Sequence, residues 1–359
     1  MLQMLAVPVA AVVSLAIALS SQCVVSYNLS DGVGDPWGTA LDQRGNVWFA
    51  EAGCDFEVNC TAATPPGQIG VLRAGTDGPR FYTLPAVPGN QPIFVEPDPA
   101  GVLWFTTPNN SSIGAFDPVT ETFLGQWPVT PATGPWDLVW ANGAIWYTER
   151  FGSAIGRFDP VAKTHVDVRT PTPDTHPYGI AANGTRIWFA ENNGAVARIA
   201  SLDTARANRI DEYQLRAALP GSLTPHMLSV DESGGVWWSA GWTRVIGRLD
   251  PSRVVAGACG ASVGNCAGVT EYRLPDPPPD CHQSHVSGIA VQPGSSRVWL
   301  TDSLSGEVGY FDRQSNAFTL RRVHDCNAHS HDGLSADGAG HVWWTEEFAD
   351  ALNTLAPPG

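Results

Sequence analysis

The chain has little positive charge, no sustained helical periodicity and only one hydrophobic run of any length. Its 359 residues include 20 Lys and Arg against 35 Asp and Glu, for a formal net charge of −15. This charge repels a phosphate backbone, so we expect no nucleic-acid partner. Apart from a weak candidate at residues 201–208, no window places apolar residues at helical spacing. We therefore expect an all-β protein.

The one hydrophobic run lies at the start of the chain, over residues 5–17. Pro8 interrupts it, and it is short for a helix that spans a bilayer. A basic start is missing, but Ala18-Leu19-Ser20 places small residues at the cleavage spacing of a signal peptide. We therefore expect a signal peptide at residues 1–22 rather than a membrane anchor. Residues 23–359 are then one secreted, extracellular domain with no membrane span.

A Trp motif recurs along the whole chain. In each copy an aliphatic residue precedes the Trp, and a second hydrophobic residue and then a small residue follow it. The motif tryptophans are Trp48, Trp104, Trp146, Trp188, Trp237, Trp299 and Trp343. They lie 42 to 62 residues apart, and short alternating runs bounded by Gly, Pro, Asp and Asn surround each copy. This pattern predicts a seven-bladed β-propeller with four antiparallel strands in each blade.

The two ends of the chain are expected to close the ring together. The last repeat has room for three strands after Asn327, while residues 25–29 have the pattern of a fourth strand. Pairing these segments in the last blade removes a free sheet edge. Six or eight blades are the alternatives, and the number of Trp motifs favours seven.

The cysteines favour an oxidising compartment. We predict three disulfides, with Cys23 left over; the pairs are Cys54–Cys60, Cys259–Cys266 and Cys281–Cys326. The first two pairs each lie within one loop, and the third pair precedes the first strands of two consecutive blades. Such bridges are typical of secreted proteins. A metal site made of cysteines is disfavoured, because the chain has no Cys-x-x-Cys pair.

Histidines cluster in the loops that lead into the last three blades. They are His226, His282, His285, His329 and His331, five of the nine in the chain. In a propeller these loops open near the axis on one face, together with the loops after the second strands, where Glu346 and Glu347 lie. Imidazoles beside carboxylates suit acid–base catalysis or a divalent metal site. The alternative is a set of polar residues at a solvated pore mouth.

The repeats resemble those of the virginiamycin B lyase family over residues 24 to 356. The resemblance lies in Pro177-Tyr178-Gly179-Ile180, Ile145-Trp146-Tyr147-Thr148-Glu149, Ile155-Gly156-Arg157 and Glu271-Tyr272-Arg273-Leu274-Pro275. It implies a seven-bladed propeller that opens a cyclic depsipeptide at its ester by elimination, with Mg²⁺ in the site. Its catalytic elements are histidines in Pro-His-x-Ile turns and a glutamate after a late Trp motif.

Two positions match those catalytic elements directly. Pro225-His226-Met227 matches one histidine turn, and Glu346 follows the last Trp motif. At the equivalent positions in blades seven and six stand Asp332, with His331 one residue earlier, and Ser287, with His285 two residues earlier. Our hypothesis assigns His331 or His285 as the base. His226 and Glu346 then bind a divalent cation, Mg²⁺ or Ca²⁺, or orient the acid.

The axial loops also carry candidate substrate-binding residues. Aromatic rings there suit stacking on a sugar or recognition of a peptide, and a cation would neutralise a uronate carboxylate. The candidates are Trp37, Trp136, Tyr178, Asp332, Arg150 and Trp242, with Arg244 as a second cation. We expect a monomer that acts by β-elimination on a small-molecule ester or a carbohydrate. A glycan- or protein-binding propeller without activity and a secreted hydrolase are the alternatives.

Overall fold

The computed structural model describes residues 23–29, 32–56, 59–61, 63–215, 224–254, 267–326 and 328–355. The segment predicted as a signal peptide and the predicted Cys259–Cys266 bridge lie outside these residues. In the described part, strands β1 to β28 form seven four-stranded antiparallel sheets arranged as a seven-bladed β-propeller. The predicted all-β fold is confirmed.

Each of the first four blades uses four consecutive strands, with the innermost strand first in sequence. Blade one comprises β2 (Pro36–Leu41), β3 (Val47–Glu51), β4 (Gln68–Leu72) and β5 (Arg80–Thr83), and blade two β6 (Val95–Pro97), β7 (Leu103–Thr107), β8 (Ser112–Asp117) and β9 (Thr122–Pro128). Blade three comprises β10 (Pro135–Ala141), β11 (Ala144–Glu149), β12 (Ala154–Asp159) and β13 (Thr164–Arg169), and blade four β14 (Pro177–Asn183), β15 (Arg186–Glu191), β16 (Arg198–Asp203) and β17 (Arg209–Gln214).

The last three blades follow the same order until the ring closes. Blade five comprises β18 (Pro225–Val230), β19 (Val236–Ala240), β20 (Val245–Leu249) and β21 (Val269–Arg273), and blade six β22 (Val286–Val291), β23 (Arg297–Asp302), β24 (Glu307–Asp312) and β25 (Ala317–Arg322). Blade seven comprises β26 (Leu334–Ala336), β27 (Val342–Glu346), β28 (Ala351–Leu355) and β1 (Val24–Asn28). Two 3-10 helices are Thr204–Arg206 and Gly241–Thr243.

The ring closes as the sequence predicts. Strand β1 pairs with β28 in antiparallel register, from Val24 opposite Leu355 to Asn28 opposite Ala351. The first strand of the described chain thus becomes the outer strand of the last blade. Within the part of the chain that the structure describes, no helix has the length and hydrophobicity needed to cross a membrane.

The Trp motif stabilises the turn between the first two strands in blades one, two and five. In these three blades the indole N–H of the motif Trp donates to an acid six residues earlier, in that turn. The pairs are Trp48 with Asp42 at 3.0 Å, Trp104 with Asp98 at 3.0 Å and Trp237 with Asp231 at 2.9 Å. Because the rings are almost fully buried, this bond satisfies a polar group that would otherwise be costly to bury.

The small residue two places after the motif Trp links neighbouring blades. In five blades it is a Thr or Ser whose hydroxyl donates to a backbone carbonyl on the innermost segment of the next blade. The bonds run from Thr106 to Trp136, Thr148 to Tyr178, Ser239 to Ser287, Thr301 to His331 and Thr345 to Trp37. The acceptors are axial-face residues, so the repeat itself holds the backbone that carries the candidate site.

Two of the predicted disulfides are present. Cys54 is bonded to Cys60 and Cys281 to Cys326, while Cys23 is exposed and unbonded. The second bridge joins the segments that lead into blades six and seven, and its cysteines are 45 residues apart in the sequence. Both agree with the expected oxidising compartment.

Removal of the Cys281–Cys326 bridge is expected to lower the free energy of unfolding by about 2–4 kcal/mol, because it closes the longer loop in the unfolded chain. Denaturant unfolding of the Cys281→Ala/Cys326→Ala double variant measures this loss. The Cys54→Ala/Cys60→Ala variant is the matched control, and its loss should be smaller, since its cysteines are only six residues apart. An equal or larger loss in the control would contradict the loop-length argument.

Candidate functional site

Three histidines from blades five, six and seven meet at the axis. His226 is the second residue of β18, His285 directly precedes β22, and His331 lies three residues before β26. Their ring centroids lie 4.9 Å (226–285), 5.7 Å (226–331) and 5.9 Å (285–331) apart. One ring nitrogen from each lies within 4.8 Å of the other two. We call these three residues the histidine cluster; each is only 5–6% exposed.

A buried carboxylate orients two members of the histidine cluster. Asp332 places Oδ1 3.0 Å from Nε2 of His226 and Oδ2 3.3 Å from Nδ1 of His331, and it accepts the Tyr178 hydroxyl at 2.6 Å. Burial acts to raise the pKa of Asp332, but the two imidazoles and these hydrogen bonds outweigh it and hold the pKa well below its usual range. Asp332 was predicted to bind substrate. It lies instead at 3% exposure beneath the rings and positions them.

His285 carries a ring nitrogen that can accept a proton. Its Nδ1 lies 2.7 Å from the hydroxyl of Ser287, which in turn lies 3.1 Å from the carbonyl oxygen of His285 as a donor. We infer the tautomer in which Nδ1 donates to Ser287 and Nε2 keeps its lone pair, because the Ser287 hydroxyl can itself donate to this carbonyl. Burial, followed by the nearby imidazoles of His226 and His331, lowers the pKa of His285 well below its usual value. Both effects favour the neutral form of the ring.

The space beside Nε2 of His285 depends on a glycine. A Cβ added at Gly241 would lie 2.6 Å from this nitrogen, closer than van der Waals contact allows. The neighbouring Trp242 packs edge-on against the His285 ring at 4.7 Å. The second ring nitrogen of His226, Nδ1, lies 3.2 Å from the side-chain amide of Asn192.

The two glutamates after the last Trp motif have other partners. Glu346 is fully buried; its Oε1 accepts from Ser330 and Trp344, and its Oε2 lies 2.5 Å from Nδ1 of His324. Within the described residues, the metal-ligand cluster that contains His226 does not include Glu346. The structure therefore does not assemble the predicted pair of His226 and Glu346.

Glu347 pairs with the neighbouring His329 rather than with the histidine cluster. Its Oε2 lies 2.5 Å from Nδ1 of His329. Burial raises the pKa of Glu347 to about 7, although His329 opposes that rise. His329 also stacks on His331, with centroids 4.7 Å apart, and on Phe348 at 4.4 Å.

Three of the predicted aromatic substrate-binding residues are buried. Trp37, Trp136 and Tyr178 are 0–1% exposed and pack as a wall beside the histidine cluster. Tyr178 stacks on His226 at 4.1 Å, and Trp37 meets His331 edge-on at 4.8 Å. They do not offer a free face to a sugar, because neighbouring blades cover them. Arg150 lies over two of the rings, 4.3 Å from Trp136 and 4.7 Å from Tyr178.

The exposed aromatic residues form a separate set. Trp242, Phe151 and Phe348 are 54%, 63% and 57% exposed. Each stands two residues after the last residue of the second strand of its blade, which ends at Ala240, Glu149 or Glu346. Sequence reasoning found Trp242 and missed the two phenylalanines. Their shared offset in the repeat is the signal that could have identified them.

Arg244 is unavailable to a substrate. Its guanidinium is buried and pairs with Asp302 at 2.6 Å and with Glu307 at 2.8 Å. Asp302 also accepts the backbone N–H of His285 at 2.9 Å. The role suggested for Arg244 as a partner for a uronate is therefore corrected: this arginine holds the segment that carries His285.

Buried carboxyls at the ends of the second strands make stability depend on pH. Burial, and then the charge of Asp167, raises the pKa of Glu149 to about 8; burial and the charge of Glu212 raise that of Glu191 to about 8. The folded chain thus holds protons that the unfolded chain releases near pH 4.5. Each group stabilises the fold at low pH, and this contribution is lost as pH rises from about 4.5 to 8.

The melting temperature is therefore expected to fall between about pH 6 and about pH 8. In the Glu149→Gln/Glu191→Gln variant both side chains stay neutral, so its melting temperature is expected to fall less over the same pH interval. Thermal unfolding at both pH values, in one buffer system at constant ionic strength, measures the difference. Equal slopes for the variant and the parent would rule out these two carboxyls as the cause.

The donor set does not suit the hard cation that the sequence resemblance implies. Mg²⁺ and Ca²⁺ prefer oxygen ligands, whereas the clustered donors are three imidazole nitrogens. Asp332 is engaged behind the rings, and Glu346 is engaged by His324. No catalytic step is therefore assigned to Mg²⁺ or Ca²⁺.

Comparisons with known proteins point to one family. The sequence model of the virginiamycin B lyase family matches residues 62–258, more than half of the 359 residues. The match includes His226 and ends before His285 and His331. No curated protein sequence matches this chain.

Solved structures agree in fold. A selenomethionine form of virginiamycin B lyase from Staphylococcus aureus is 19% identical with a TM-score of 0.74, covering 93% of this chain and 99% of that chain. A streptogramin B lyase is 19% identical with a TM-score of 0.74, covering 95% of this chain and 99% of that chain. A catalytically inactive histidine-to-alanine variant of the S. aureus enzyme with quinupristin is 19% identical with a TM-score of 0.74, covering 93% of this chain and 99% of that chain.

Proposed function

This chain belongs to the virginiamycin B lyase family, and we propose that it is a secreted carbon–oxygen lyase. Its reaction is a β-elimination from an ester or a uronate glycoside at the axial face. One observation carries the proposal: His285 lies within one buried cluster beside two imidazoles that share the carboxylate of Asp332. Elimination needs a base and an acid side by side, and the cluster supplies both.

The base is the unprotonated Nε2 of His285. Its lone pair removes the proton α to the substrate carbonyl, and the electrons of that C–H bond form the new carbon–carbon double bond. The bond from the β carbon to oxygen breaks, and its electron pair stays with the oxygen. Proton transfer by a positioned imidazole typically contributes about 10²–10⁴-fold in rate. His331 is the alternative base, since it belongs to the same cluster.

The acid is an imidazolium held by Asp332. The buried carboxylate faces one nitrogen of His226 and one of His331. That imidazolium donates its proton to the departing oxygen. The protonated His285 then releases its proton to solvent and the acid imidazole takes one up, so both groups return to their starting states. The charge on the cluster also stabilises the enolate as it forms.

The surroundings of the cluster suit a small ligand with a carbonyl or carboxylate and an apolar part. Arg150 lies on the faces of Trp136 and Tyr178, and Tyr178 stacks on His226. Trp242 and Phe348 are exposed next to His285 and His329. We expect a single chain to act on such an ester or carbohydrate without a partner protein, because the cluster is complete within the chain.

Ultraviolet absorbance of conjugated, unsaturated products tests the proposal. Purified protein is incubated with cyclic depsipeptide esters and with uronate polymers. We expect new absorbance that His285→Gln and His331→Gln abolish, while His282→Gln, an exposed histidine on the same loop, leaves it unchanged. New reducing ends or carboxylates without absorbance would mean hydrolysis. Tight binding of a glycan without turnover would favour the binding propeller instead.

A further inference from the structure

We propose that His226, His285 and His331 form a binding site for one transition-metal cation of the Zn²⁺ class. The site uses the same residues as the proposed function, but its existence does not depend on the elimination reaction. Three imidazoles from three separate blades place one ring nitrogen each within 4.8 Å of the others. All three are buried, so their positions are fixed by the surrounding blades rather than by solvent.

The spacing of the three ring nitrogens is close to that of imidazole ligands on a bound metal ion. A zinc–imidazole bond is about 2.0–2.1 Å long, so two nitrogens on a tetrahedral ion lie about 3.3 Å apart. From a separation of at most 4.8 Å, each nitrogen needs to move by less than about 1 Å. Small rotations of the imidazole rings supply this movement without a change of backbone.

Hydrogen bonds behind the rings match those of protein metal sites. Metal-bound imidazoles usually donate their second N–H to a carboxylate or another acceptor, which fixes the tautomer and the orientation of the ring. Asp332 contacts one nitrogen of His226 and one of His331, and the hydroxyl of Ser287 contacts Nδ1 of His285. The side-chain amide of Asn192, 3.2 Å from Nδ1 of His226, is the group that moves if this nitrogen is the ligand.

The donor atoms select the class of cation. Three imidazole nitrogens favour Zn²⁺, Co²⁺, Ni²⁺ or Cu²⁺ over Mg²⁺ and Ca²⁺. A site with three protein ligands leaves a fourth position for water or substrate. Gly241 keeps the space beside Nε2 of His285 open, because a Cβ there would lie 2.6 Å from that nitrogen.

Cobalt absorption tests the site without any substrate. The full-length mature protein is treated with chelator, and Co²⁺ is added while visible absorption is recorded. We expect one tetrahedral Co²⁺ per chain, displaced by Zn²⁺ but not by Mg²⁺. Asp332→Asn is expected to weaken the affinity for Co²⁺ by about 10–100-fold. Replacement of a ligand should weaken that affinity further, in each of the variants His226→Gln, His285→Gln and His331→Gln. His282→Gln should bind as the parent does.

The controls separate a lost ligand from a lost fold. Circular dichroism and the melting temperature identify any variant that fails to fold, and Gly241→Ala tests the site while retaining all three histidines. That alanine should weaken Co²⁺ binding by crowding Nε2 of His285. Unchanged Co²⁺ absorption in the folded histidine variants, or displacement by Mg²⁺ as readily as by Zn²⁺, would overturn the proposal.

A bound cation also affects the proposed reaction. The metal and the substrate proton compete for the lone pair on Nε2 of His285, so Zn²⁺ should inhibit elimination over the same concentration range in which it displaces Co²⁺. This consequence rests on the proposed function, and elimination at full Zn²⁺ occupancy would refute it. The cobalt result is independent of it, since no turnover is needed to observe binding.

Discussion

Replacement of Arg244 by methionine is expected to lower the free energy of unfolding by about 3–5 kcal/mol. The guanidinium is 5% exposed and pairs with Asp302 and Glu307, which are themselves buried. Methionine fills much of the same volume but leaves two carboxylates without a counter-charge. The cost of desolvating them is then no longer offset, and the segment before β22 loses its anchor.

Urea unfolding monitored by tryptophan fluorescence measures this loss. Arg209→Met is the matched control, because Arg209 pairs with Asp211 on the surface, with its side chain 56% exposed; its loss should stay below about 1 kcal/mol. Adding Asp302→Asn and Glu307→Gln to Arg244→Met should restore part of the stability, since the uncompensated charges are then removed. If Arg244→Met costs no more than Arg209→Met, the buried ion pairs do not stabilise the fold.

The architecture could be predicted because the Trp motif recurs once on the second strand of every blade. In some blades the indole bonds to an acid six residues earlier, as Trp104 does with Asp98. In five blades the hydroxyl two residues later bonds to the next blade, as Thr106 does with Trp136. Counting motifs therefore counts blades. Ring closure followed from the same count, because the last repeat lacked one strand.

The meeting of the three histidines could also be predicted, but the role of Asp332 could not. Blade symmetry alone brings equivalent loops to the axis. In the sequence, Asp332 and Ser287 stand at equivalent positions. In the structure, Ser239 donates to the carbonyl of Ser287, but the equivalent bond from Thr301 goes to the carbonyl of His331, one residue before Asp332. Asp332 is the residue after this acceptor, and its carboxylate lies beneath the rings. The pattern of residue types along the repeat does not show which backbone carbonyl accepts this hydrogen bond.

Side-chain direction explains the other differences. The sequence places Glu346 at the axial end of β27, but whether its carboxylate meets His226 or His324 depends on the rotamer. The structure selects His324 at 2.5 Å. Likewise, the sequence predicts that a Trp at an axial position offers a stacking surface, because it does not show which side chains cover the ring. Trp37 and Trp136 meet edge to face at 5.9 Å, so each covers the other.

The Asp332→Asn substitution is expected to lower kcat by about 10²–10⁴-fold, the usual contribution of positioned acid–base catalysis. Asparagine has nearly the same shape as aspartate, so the packing around Tyr178 is retained. It carries no negative charge to stabilise an imidazolium on His226 or His331. Its side-chain NH₂ would also face a ring nitrogen that now meets a carboxylate oxygen, which favours the wrong tautomer of that ring.

Steady-state kinetics on the substrate found by the absorbance assay measure the effect, and the split between kcat and KM identifies its origin. Asp332 is 3% exposed and faces two imidazoles, so we expect KM to change little while kcat falls. Tyr178→Phe is the matched control. It removes one hydrogen bond to the carboxylate, at 2.6 Å, but leaves the charge, so kcat should fall by only about tenfold. A rise in KM with unchanged kcat in Asp332→Asn would mean that the carboxylate acts in substrate binding. A residue that only orients the acid is not expected to change the affinity for the bound substrate.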